Sequence, residues 1–200
     1  MTIVHEAFRG DDGSVGVLLR SYQTTGTRFL TCFAEPDGTV YRVAIRVVHS
    51  GRPSAWTSLE MADHVGGTTA TLGAREVAPN STPSYADVLI VEDAIADDLA
   101  AHSWDRLDEA TLTTAPASLE RGEPGQVDGL DGRPIDAVPY VLSLDGRPTY
   151  TFWVADGEVV VTDWAGARSY RVDDLNEALA GSHEDVVYHA RAWVAGPGSR

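Results

Sequence analysis

Val138-Pro139-Tyr140-Val141-Leu142-Ser143-Leu144, Thr149-Tyr150-Thr151-Phe152-Trp153-Val154-Ala155 and Glu158-Val159-Val160-Val161-Thr162-Asp163-Trp164 are three runs rich in β-branched and aromatic residues. They are joined at Asp145-Gly146 and Asp156-Gly157. Asp-Gly between apolar runs is a strong hairpin signal, because both turn positions need positive φ. The stretch therefore predicts a three-stranded antiparallel meander. Its entrance turn is written twice, as Leu130-Asp131-Gly132-Arg133-Pro134 and Leu144-Asp145-Gly146-Arg147-Pro148. Two copies of a turn are too few for a solenoid, which needs at least about three stacked units.

A second meander is expected at the other end of the chain. Val15–Tyr22, Arg28–Ala34 and Thr39–Val48 have strand composition, and Glu35-Pro36-Asp37-Gly38 supplies a turn between the last two. In the third of these strands Tyr41, Val43, Ile45 and Val47 alternate with Arg42 and Arg46, so one face reads as core and the other carries arginines. Trp56–Met61 and Thr68–Leu72 read as short strands, and residues 77–83 as a loop. Val88–Val91 reads as a short strand followed by a helix over Asp93–His102. Residues 113–129, with Pro116, Gly122, Pro124, Gly125 and Gly129, read as a flexible loop. Asp173 is placed to cap a short helix ending at Gly181. Val186–Val194 fits both periods and is read as a strand; as a helix it would start in a capping box from Ser182 to Asp185. The expected fold is one α+β domain over residues 1–200, with two antiparallel β-meanders and a few short helices.

Composition narrows the chemistry. The chain has 30 acidic and 15 basic side chains, a formal charge of −15, and every base is arginine. The absence of lysine excludes a lysine-bearing phosphate loop, a pyridoxal-phosphate Schiff base, a Ser-Lys dyad and the kinase strand lysine. The acidic balance argues against broad nucleic-acid binding, which needs a basic footprint. Cys32 is the one cysteine and sits in Phe29-Leu30-Thr31-Cys32-Phe33, where an inert buried thiol is the expectation. It can form neither an internal disulfide nor a zinc ribbon. No apolar run approaches the roughly 20 residues of a membrane helix. The bias towards Ala, Gly, Arg and Pro fits a GC-rich bacterium or its phage, so a soluble cytoplasmic protein, or a virion protein if phage-encoded, is expected.

Two residue groups stand out. Arg28, Arg42 and Arg46 would share one face of the N-terminal sheet, with Arg28 opposite Arg46, and form an anion- or partner-binding candidate. If those arginines are structural, acids from residues 92–109 or 156–185 should reach them. His183, Glu184, Asp185 and His189 form the densest set of metal-ligand types, but the six-residue histidine spacing does not match His-Glu-x-x-His. No metal site and no cofactor are therefore expected. The chain also lacks Gly-x-Ser-x-Gly and Gly-x-Gly-x-x-Gly. These absences point to a non-catalytic interaction or assembly protein, an adaptor or structural subunit, whose partner is another protein or itself. The alternative is a small enzyme whose site assembles from dispersed His, Asp, Glu and Arg. A concave pocket gathering such residues favours the enzyme, and a broad exposed apolar patch favours the interaction protein.

Overall fold

The computed structural model describes residues 2–63, 68–74 and 81–196. Residues 77–80 of the expected loop lie outside them. Strands β1 (Thr2–Gly10), β2 (Val15–Gln23), β3 (Gly26–Ala34), β4 (Val40–His49), β5 (Trp56–Asp63) and β6 (Thr68–Gly73) come first. Then follow β7 (Ser81–Pro83), helix α1 (Asp87–Ala96), β8 (Ala101–Asp108), β9 (Thr113–Arg121), β10 (Gly125–Asp128) and β11 (Pro134–Leu144). β12 (Arg147–Ala155), β13 (Glu158–Trp164), β14 (Ala167–Val172), α2 (Leu175–Ala178) and α3 (Glu184–Ala195) complete the series. The protein is mostly β, which corrects the expected α+β class.

Both expected meanders are present, and they belong to one sheet. Its strand order is β6-β5-β4-β3-β2-β1-β14-β13-β12-β11-β9-β8-β7, with β10 paired to β11 at the side. The β11–β12–β13 hairpins turn at Asp145-Gly146 and Asp156-Gly157, whose φ values are all positive, 49°, 73°, 51° and 80° in chain order. The halves are joined by β1, which pairs with β2 on one side and with β14 on the other.

Several local readings are corrected. Val88–Val91 is helical, and the helix lies six residues earlier than expected, because Leu89, Ile90, Val91 and Ala94 are all buried. A helix enclosed on most sides has no polar stripe, so its apolar run mimics a buried strand. Residues 113–129 are not a flexible loop but carry β9 and β10. The proline in β9 still serves the sheet, since the Pro116 carbonyl accepts the N–H of Asp145 at 3.0 Å. Val186–Val194 lies in a helix, where Val186 and Ala190, one turn apart, enter the core. Its cap is His183, whose Nδ1 accepts from Asp185 N, rather than Ser182. Similarly Asp174, not Asp173, caps α2 by accepting from the N–H groups of Asn176 and Glu177.

Both sheet faces are covered. On the outer face Val17 and Leu19 of β2 and Leu30 and Cys32 of β3 pack under Ala178, Leu179, Val186 and Ala190 of the α2–α3 region. On the inner face α1 touches both halves. Leu89 joins Phe29, Val43, Ile45 and Val47 of the N-terminal strands, while Val91 and Ala94 join Leu119, Leu142 and Phe152 of the C-terminal ones. The sheet therefore curls around α1. Its far ends come together as well: Leu107 of β8 packs in the cluster of Trp56 and Leu59 of β5, and the Trp56 indole N–H donates to the Ser81 carbonyl at 2.5 Å. No helix among the described residues is long and apolar enough to cross a membrane.

Candidate functional site inside the curved sheet

Strand alternation sends Glu6 and Phe8 of β1, Leu18 and Arg20 of β2, and Phe29 and Thr31 of β3 to the concave side. From the other half come Tyr150 and Phe152 of β12 and Thr162 and Trp164 of β13. Tyr85 in the turn before α1, Asp87 and Val88 at its start, and Arg106 of β8 add to these. These residues line a cavity of about 410 Å³. That volume falls in the range of small-molecule sites, roughly 300–1,000 Å³, and the mix of aromatic walls with few polar groups is also typical of them.

Two buried ion pairs supply the polar groups. Arg20 Nη2 lies 2.9 Å from Glu6 Oε1 and 3.8 Å from Glu92 Oε1, and the Arg20 and Glu6 side chains are each only 6% exposed. Glu6 also accepts from Ser169 Oγ at 2.6 Å, and Glu92 accepts from the Tyr22 hydroxyl at 2.6 Å. In the second pair Arg106 Nε donates to Asp87 Oδ2 at 2.7 Å. Close by, Glu109 accepts from Ser84 Oγ at 2.5 Å. Burial pushes the Asp87 carboxyl up to about 7, Arg106 opposing that rise and Glu109 adding to it. Burial likewise raises Glu109 and the Tyr22 phenol. Three buried polar atoms of these pairs have no hydrogen-bond partner among the described residues: Arg20 Nε, Arg20 Nη2 and Asp87 Oδ1. Such atoms are uncommon in folded proteins; all three are closed off even from water, and Arg20 Nη2 keeps its ion pair with Glu6.

The arginines singled out in the sequence lie on the other side of the sheet. Arg28 stands opposite Arg46 in the β3–β4 register, with Arg42 on the same face. Their partners come from β5 and α3 rather than from residues 92–109 or 156–185. Arg46 is 3.5 Å from Glu60, Arg42 donates to His189 Nδ1 at 2.5 Å, and Arg28 lies 4.8 Å from the Trp193 ring centroid. Arg28, Arg46 and Trp193 border a shallow outer groove, in which Arg46 and Glu60 are exposed enough for water to satisfy them. His183 caps α3 and His189 faces Arg42, so the two histidines are engaged separately; Glu184 is exposed in the first turn. The described residues contain no group of three or more His, Cys, Asp or Glu that could hold a metal ion. Cys32 is buried, and burial pushes its thiol up to about 11.

Glu6, Arg20, Asp87 and Arg106 were missed by sequence reasoning. The available signal was the strand pattern itself: Leu18 and Arg20 alternate with Val17 and Leu19, so one side holds a charge on a strand buried on both faces.

No family model matches the chain, and no curated protein matches it. Among solved structures, a beta-barrel-like protein of a domain of unknown function, DUF1849, from Brucella abortus superposes with a TM-score of 0.47. The identity is 11%, over 86% of this chain and 96% of that one.

Proposed function

We propose that this protein is a non-catalytic binding protein, and that its partner is a small molecule with an aromatic or apolar body held inside the curved sheet. The observation that carries this reading is the cavity, in which Phe8, Phe29, Tyr85, Tyr150, Phe152 and Trp164 share the lining with Glu6, Arg20, Asp87 and Arg106. Apolar surface leaving water drives entry, and the few polar side chains of the lining fix orientation. The large exposed apolar side chains Leu99, Leu112 and Tyr188 come from three separate segments, which favours an interior ligand over a broad contact surface. Among the described residues no histidine or cysteine lines the cavity. The enzyme reading draws on Asp87 instead, a carboxyl titrating near neutrality in the same cavity.

The test is a titration with N-phenyl-1-naphthylamine, an uncharged dye that brightens in apolar surroundings. Saturable binding at one dye per chain is expected. Leu18→Trp, which fills the cavity from the position opposite Glu6 in the β1–β2 register, should weaken it at least about tenfold, since the dye then loses its volume. A thermal melt of the variant checks that the fold survives. No saturable binding, or binding indifferent to Leu18→Trp, overturns the proposal.

A further inference from the structure

We infer that the outer groove bordered by Arg28, Arg46 and Trp193 is a second binding site, separate from the inner cavity, for a small organic carboxylate with a flat apolar body.

The groove follows from the pairing of β3 to β6. Arg28, Arg46, Glu60 and Thr71 stand directly opposite one another across the four strands. Two residues along, Ala44, Ala62 and Thr69 form the next row across β4, β5 and β6. Side chains two apart share a face, so both rows point outward. Their small alanines leave a hollow of about 430 Å³, bounded on the helix side by Trp193 in the last turn of α3.

The charges in this hollow do not balance. Like charges directly opposite each other destabilise a sheet, and Arg28 faces Arg46 in the register. Burial and the neighbouring Arg46 charge both hold the Arg28 guanidinium below its ordinary value. Glu60 is the one carboxylate lining the groove among the described residues, and it lies 3.5 Å from Arg46. Arg28 has an indole ring beside it instead, 4.8 Å away. Two guanidiniums against one carboxylate leave a surplus of one positive charge, which matches a monoanion. The Arg46 side chain is 36% exposed, so its fork is open to an arriving ligand. A planar guanidinium pairs with a carboxylate through two parallel hydrogen bonds. The alanine floor and the Trp193 ring supply apolar contact for the rest of the ligand. The formal charge of −15 opposes an anion only from a distance, since at physiological ionic strength such fields fade over about 8 Å.

The experiment is calorimetric titration with 2-naphthoate and with its uncharged analogue 2-naphthalenemethanol. Naphthoate should bind the wild type saturably. Arg28→Gln and Arg46→Gln should each weaken it at least about tenfold while leaving the alcohol unchanged. Leu18→Trp, which fills the inner cavity, should not alter naphthoate binding. Without ligand, Arg28→Gln should melt at or above the wild-type temperature, because a like-charge pair is relieved. Naphthoate binding that is absent, indifferent to both arginine variants, or abolished by Leu18→Trp overturns the inference. A lower melting temperature for Arg28→Gln, with no naphthoate bound by the wild type, overturns it in favour of a structural role for Arg28 in holding α3. The cavity reading, tested by the uncharged dye, stands or falls separately.

Discussion

Asp87 is the residue whose ionisation carries most consequence. Its carboxyl is raised by burial to about 7 from an ordinary value of 3.8, despite the Arg106 guanidinium beside it. A raised carboxyl binds its proton more tightly in the folded state than in the unfolded one. Its stabilising effect is complete below the unfolded value and is lost as pH rises through about 7. The melting temperature should therefore fall between pH 5 and pH 8 in the wild type. Asp87→Asn, which cannot ionise, should flatten that part of the profile; an unchanged slope would refute it. The same proton affects the cavity. Below pH 7, loss of the Asp87 charge removes one negative group from the cavity wall, beside Arg106 and Glu109. Glu6 behaves differently because it is tied into an ion pair and a hydrogen bond. Removing it with Glu6→Ala leaves Arg20 buried beside Glu92 alone. Such a break costs about 3–5 kcal/mol, readable in urea denaturation.

Among the elements, β2 and β3 show how closely the sheet is built. A Cβ placed on Gly16 would come within 2.2 Å of the Cys32 carbonyl oxygen and 2.4 Å of Phe33 Cα. Both are backbone atoms of the paired strand, so Gly16→Ala should cost roughly 1–3 kcal/mol or more through strand displacement. A melting temperature equal to the wild type would show that the strands can separate freely. The same pairing explains what was legible from sequence. Period-two alternation and Asp-Gly turns are local signals, and they located the β11–β12–β13 meander and the arginine face of β3 and β4. Val88–Val91 and Val186–Val194 were misread because both periods fit them, and their surroundings decide. The first is enclosed by both halves of the sheet, and the second covers the outer face of β2 and β3. The cavity was hidden for a related reason. Glu6 and Arg20 are 14 positions apart but pair across β1 and β2, whereas Asp87 and Arg106 meet only because the sheet curls. Sequence reasoning drew attention to Arg28, Arg42 and Arg46 because their alternation is visible within one or two strands.

For the whole molecule, the contact that matters most to shape is the one between the sheet's distant ends. The Trp56 indole donates to the Ser81 carbonyl, and Trp56 is 5% exposed within the cluster that includes Leu107. Trp56→Phe retains most of the apolar contact and leaves the carbonyl short of a donor. The expected loss is about 1–3 kcal/mol, as for a buried group left unsatisfied. Amide exchange should quicken in β7 and β8 before it does in β2 and β3. Uniform acceleration across all strands would mean that the ends are not tied at this point.

The seam between β1 and β14 sets a condition on how the chain reaches this state. His5 pairs with Val172 and Gly10 with Ala167, so partners more than 150 residues apart meet in the middle of the sheet. Loop closure of that span must precede the contacts that reward it, and chains dominated by non-local pairing fold slowly, on millisecond to second timescales or longer. During synthesis the N-terminal meander must wait with one side of β1 unpaired until β14 has emerged. An open strand edge of this kind is a template for pairing with another chain. Refolding yield should therefore fall with protein concentration while the native state, once formed, stays unaffected. The risk of aggregation lies in the interval before the last strand arrives.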